Sequence, residues 1–101
     1  MKLGDVEEDL LKVLYEFEFN NGEVPRVMDF DFKEIDLTAK KSEAIHIIEK
    51  MEADGYLYLE RKPFVEEGIE PKYKRNFSIL NWGNVHITSK GKNYLKSALV
   101  I

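Results

Sequence analysis

The chain has 101 residues, of which 44% are hydrophobic and 34% charged, with a formal net charge of −4 and no cysteine. That length and balance fit one globular domain with its own core rather than a disordered chain, and the lack of cysteine excludes disulfide scaffolds, thiol nucleophiles and thiolate zinc sites. The acidic start Met1–Asp9 is not a signal peptide and no apolar run reaches membrane-spanning length, so a cytoplasmic protein without membrane association is expected.

Asp5 and Glu8 make an Asp-x-x-Glu start, in which Asp5 is expected to accept the Glu8 N–H as a helix cap. Val6, Leu10, Val13, Leu14 and Phe17 then recur with a helical period, and Asn20-Asn21-Gly22 supplies residues that tolerate a left-handed cap. Glu23–Val27, interrupted by Pro25, suits an edge strand. Residues 29–36 alternate like a strand, yet Phe32 and Ile35 sit at helical spacing; a short helix is the favoured reading.

Thr38 suits the N-cap of a helix over residues 39–54, whose buried face is expected to hold the Lys41 stem, Ala44, Ile45, Ile48 and Met51, with Ile47 off that face. Gly55 stands where a helix-ending glycine belongs. Residues 56–62 read as an aromatic-rich strand that Pro63 ends, and residues 64–75 as a long polar hairpin loop carrying Lys72, Lys74 and Arg75. Residues 76–81 and 85–88 read as strand pieces broken at Trp82-Gly83-Asn84, where a bulge or tight turn accounts for Gly83. A last helix begins near Ser89 or Lys90 and carries Tyr94, Leu95, Ala98 and Leu99. This order predicts an α+β winged helix-turn-helix in one domain over residues 1–101: a three-helix core, a β-hairpin wing and a C-terminal helix.

Two stretches carry a family resemblance. Gly55-Tyr56-Leu57 directly after a helix, and Ile87-Thr88-Ser89-Lys90-Gly91-Lys92-Asn93-Tyr94-Leu95 after the final strand, resemble the helix-end and strand-end patterns of the YjcQ-like winged-helix family of bacteria and their phages. The resemblance spans roughly residues 5–97 and implies a winged helix with no enzyme activity and no cofactor; the chain departs from it at Asn76–Asn84, where the hairpin is long and includes Trp82.

Chemistry-bearing patterns are sparse. His46 and His86 lack metal-ligand spacing, and no nucleophile elbow or phosphate-cradling glycine loop is present, so neither a metal site, a small-molecule substrate nor catalysis is expected. Charge is uneven: residues 1–60 hold 7 Lys/Arg against 16 Asp/Glu, and residues 61–101 hold 8 against 3. A winged helix would offer double-stranded DNA Thr38, Lys40, Lys41, His46 and Lys50 on its reading helix and Lys72, Lys74 and Arg75 on its wing, with Glu43 and Glu49 flanking the same phosphates. A transcription regulator is therefore the expected function. The alternative is a protein-interaction module using the acidic first helix, Ile47 and the apolar end Ala98–Ile101, and that end is also the expected homodimer contact.

Overall fold

The computed structural model describes residues 3–60, 64–70 and 75–98, with side chains at all of these positions except 69, 70 and 75–78. Three α-helices, α1 (Asp5–Phe19), α2 (Leu37–Ala53) and α3 (Ser89–Ser97), surround short antiparallel strands β1 (Leu57–Leu59), β2 (Val65–Glu70), β3 (Arg75–Leu80) and β4 (Val85–Ile87). The domain is thus α+β, with fully buried Leu10, Leu11 and Leu14 from α1, Ile48 and Met51 from α2, Leu57 from β1 and Leu95 from α3 meeting in one core.

α1 starts at the residue expected to cap it, and the cap lies one residue earlier. Gly4 is the N-cap and its carbonyl accepts the Glu8 N–H at 2.9 Å, while Asp5 joins Glu7 and Glu8 in the first turn, where carboxylates favour the helix dipole. The buried stripe is Leu10, Leu11 and Leu14, with Val6, Val13 and Phe17 half-buried beside it. Leu11 is drawn inward because α3 packs there: a Cβ built on Gly91 would lie 3.5 Å from Leu11 Cδ1. At the far end Asn21 takes the left-handed conformation (φ 56°), and the Gly22 N–H turns back to the Glu16 carbonyl at 2.8 Å.

The segment between α1 and α2 corrects two expectations. Glu23–Val27 forms no strand, and the short helix expected at 29–36 is replaced by one 3-10 turn at Val27–Asp29 followed by non-helical chain. The alternation of the sequence prevails over its i, i+3 pair. Phe30 and Phe32 are both buried, with ring centroids 5.6 Å apart, whereas Ile35 is 88% exposed and so cannot anchor a helical face. The N–H groups of Lys33 and Glu34 both donate at 3.1 Å to the carboxylate of Glu43 on α2, which holds them out of any helix of their own.

α2 begins earlier than expected. Asp36, not Thr38, is its N-cap, accepting the Ala39 N–H at 3.0 Å, and Thr38 lies exposed within the first turn. Ala44, Ile48 and Met51 are buried, while Lys41, Ile45 and Ile47 are half-buried. The helix closes in a Schellman motif: Gly55 (φ 85°) donates to Glu52 and Tyr56 donates to the Met51 carbonyl, both at 2.9 Å.

The strands form two ladders. β1 pairs with β4 (Leu57 opposite Ile87, Leu59 opposite Val85), and β2 pairs with β3 (Val65 opposite Leu80, Glu70 opposite Arg75). β2 therefore occupies much of the span expected as a polar loop. From Leu59 opposite Val85 to Val65 opposite Leu80 the register shifts by one, and Trp82–Asn84 form a 3-10 turn at that point. Trp82 is buried there, edge-on to Phe64 with centroids 5.3 Å apart. Carboxylates cover the free edges of the inner ladder: Glu52 accepts the Leu59 N–H at 3.0 Å and Glu18 the Ile87 N–H at 2.9 Å. β2 and β3 pack chiefly on each other.

The two motif stretches meet in space. Thr88 caps α3 by accepting the Gly91 N–H at 3.1 Å, donates its hydroxyl to the Gly55 carbonyl at 2.6 Å, and pairs its own N–H with the Tyr56 carbonyl at 3.2 Å. The Lys90 ammonium reaches the Asp54 carbonyl at 2.5 Å and lies 4.5 Å from the Tyr56 ring centroid, closing the negative end of α2. Tyr94 meets Tyr56 edge-on, accepts the Leu3 N–H at 3.0 Å and donates to Glu8 at 2.9 Å. The pattern Thr-x-Lys-Gly-x-x-Tyr is thus a clasp between α3, the end of α2 and the start of α1.

Candidate nucleic-acid interface

Because Ala44, Ile48 and Met51 face the core, the opposite side of α2 faces water. Thr38, Ser42, His46 and Lys50 lie there at intervals of four and are all exposed. They form a row of two hydroxyls, an imidazole and an ammonium, each able to donate a hydrogen bond. Ser42 is absent from the sequence-based set, although counting four residues on from Thr38 or back from His46 reaches it.

The glutamates on this helix are not equivalent. Glu43 is turned onto the N–H groups of Lys33 and Glu34, and Glu52 onto the N–H of Leu59. Glu49 is thereby left as the exposed carboxylate of α2 with no such backbone partner among the described residues.

The remaining expected residues scatter. Lys40 is half-buried, with its ammonium 5.9 Å from the Phe32 ring centroid. Lys41 is half-buried on the other flank, where it lines a groove of about 320 Å³ with Met28, Leu37, Ile79, Leu80 and Trp82. The groove brings Ile79 and Leu80 of β3 near the start of α2, and the Glu52–Leu59 bond ties β1 to its end. Lys72 and Lys74 lie outside the described residues; Arg75 opens β3 opposite Glu70, with its side chain outside them. Leu99–Ile101, most of the expected dimer contact, also lie outside, while Ala98 is exposed. Ile47 is half-buried against the core, which removes it as a free contact.

His46 and Lys50 also border a cleft of about 450 Å³ whose other wall carries Asp5, Glu7 and Glu34 together with one cation, Lys33. A polyanion approaching the row would be repelled on that side. Among the described residues no group of three or more His, Asp or Glu side chains could hold a metal ion, and no helix is long and apolar enough to cross a membrane. No protein-family model matches the chain, and neither a curated protein nor a solved structure matches it significantly.

Proposed function

We propose that this chain is a small winged-helix domain, with the 3-10 turn Val27–Asp29 in place of the helix that usually precedes the reading helix, and that it binds double-stranded DNA as a transcription regulator with α2 in the major groove and the β2–β3 hairpin as the wing. The reading rests on one observation: the exposed row Thr38, Ser42, His46 and Lys50 runs along a helix whose first turns, at Leu37 and Lys41, share a groove with Ile79 and Leu80 of the β2–β3 ribbon. Hydroxyl, imidazole and ammonium donors match base-edge acceptors and phosphate oxygens, and the sequence between β2 and β3, with Lys72 and Lys74 ahead of Arg75, supplies cations suited to the flanking backbone. The likeness of Gly55–Leu57 and Ile87–Leu95 to YjcQ-like winged-helix proteins points the same way.

Fluorescence anisotropy with labelled duplex tests this. Binding is expected at about 50 mM salt and micromolar protein, and is expected to weaken steeply as salt rises. The triple change Lys72→Glu, Lys74→Glu, Arg75→Glu is expected to abolish it, and Ser42→Ala or His46→Ala to cost about 1–3 kcal/mol on a preferred site only. No binding by wild type under those conditions overturns the reading.

A second reading, a protein-docking module, is favoured by the other flank of α2. There Met28, Leu37 and Ile79 are 62%, 48% and 48% exposed around the groove, beside the carboxylate of Asp36. An apolar, acidic helix start suits a protein surface better than a phosphate backbone.

A further inference from the structure

His86, in β4, holds its ring between two carboxylates. Glu18, from the last turn of α1, meets Nδ1 at 2.9 Å, and Glu60, just beyond β1, meets Nε2 at 2.6 Å. Both ring nitrogens therefore face acceptors. A neutral imidazole has a single N–H and can satisfy one carboxylate; the other would meet a lone pair at contact distance. With both glutamates ionised, the arrangement needs the doubly protonated ring. Tyr58 of β1 stacks on that ring with centroids 6.2 Å apart, and with the two glutamates completes the titratable groups facing it among the described residues.

The two carboxylates are held differently. Glu18 also accepts the Ile87 N–H at 2.9 Å, so it stays on β4 whatever the ring does. Glu60 is the more exposed, 41% against 23% for Glu18. It also sits at a mechanical boundary. Its N–H bond to the Asn84 carbonyl, 2.9 Å, borders the one-residue register shift beyond which the β2–β3 hairpin begins.

We propose that Glu18, His86 and Glu60 form a proton-operated latch fixing the root of the hairpin to α1, closed while the imidazole holds both protons and released at Glu60 when it loses one. The root of the hairpin then loses its side-chain tie to α1, with the Glu60–Asn84 and Phe64–Asn81 backbone bonds as its remaining ties across the ribbon among the described residues, and the hairpin samples a wider range of positions. The bond to Glu60, and secondarily Glu18, raise the ring's pKa above its ordinary 6.5, against the opposing effect of burial. A group whose pKa is higher folded than unfolded lends stability that is complete below the unfolded value. The latch therefore contributes fully below pH 6.5 and fades as pH rises through the higher folded value.

The chain has no cysteine, so one pair placed at Lys12→Cys on α1 and Glu67→Cys on β2 can carry two nitroxide labels for distance measurement. The wild-type background is expected to give a narrow distance distribution near about pH 6 and a broader one near about pH 9. His86→Gln is expected to be broad at both. Glu60→Gln is expected to stay narrow at both, because its amide can donate to Nε2 of a neutral ring whose Nδ1–H remains on Glu18. Ring nitrogen shifts in NMR are expected to show both nitrogens of His86 protonated at the lower pH. A wild-type distribution that ignores pH, or a Glu60→Gln variant that still broadens, overturns the latch. No nucleic acid enters the measurement, so its outcome is separate from that of the DNA reading.

Discussion

At Gly91 a single hydrogen in place of a side chain lets α3 close on the end of α2. A Cβ there would stand 2.5 Å from the Tyr56 carbonyl oxygen and 2.8 Å from Ile87 Cγ2, and the first of these is backbone that cannot yield without moving the chain entering β1. The same residue donates its N–H to Thr88, whose hydroxyl reaches on to Gly55, so displacing it disturbs the whole clasp. Gly91→Ala is accordingly expected to cost about 1–3 kcal/mol, the scale of forced overpacking, read as a lower urea midpoint. Gly83 makes the contrast. A Cβ built there meets nothing within 4 Å, and Gly83→Ala is expected to stay within about 0.5 kcal/mol of wild type. Equal midpoints for the two variants would mean that α3 is not seated as described.

Among the elements, α2 shows how much a boundary depends on one side chain. Asp36 accepts the Ala39 N–H, so Asp36→Ala is expected to destabilise the domain by about 1 kcal/mol in urea titration, while Thr38→Ala, within the helix and exposed, is expected to change little. The reverse ranking would restore Thr38 as the cap. Elements that bury a regular stripe were legible in the sequence: α1, the core face of α2, the turn at Gly55, the strand at Val85–Ile87 and α3. Those decided by distant partners were not. The short second helix was lost because Glu43 takes the Lys33 and Glu34 N–H groups and because Phe30 and Phe32 are buried together. β2, in a segment with three Glu and a Gly, forms by pairing with β3, which no local pattern announces. Of the expected DNA-contact residues on α2, Thr38, His46 and Lys50 fall on one exposed row by helical period alone. Lys40 and Lys41 turn toward Phe32 and the hairpin base, and Glu43 and Glu52 toward backbone N–H groups, through contacts that periodicity does not encode.

For the molecule as a whole, charge limits how DNA could be held. Residues 1–60 are acidic, with 7 Lys/Arg against 16 Asp/Glu, so long-range attraction is weak and contact must come from local cations. In the proposed mode these are Lys50, Lys72, Lys74 and Arg75, about four per copy. Each phosphate neutralised adds about −0.9 to the slope of log K against log salt, which gives about −3.6 for one copy and about −7 for a symmetric pair on two half-sites. Salt titration of duplex binding, paired with light scattering, therefore reports oligomeric state and docking mode together. A slope near −7 with a dimeric mass is the expectation if the C-terminal end joins two copies, and one near −3.6 with a monomeric mass if it does not. A slope near −1 would mean that the hairpin cations never reach phosphate, and the apolar groove at Met28, Leu37 and Ile79 would then be the surface to pursue.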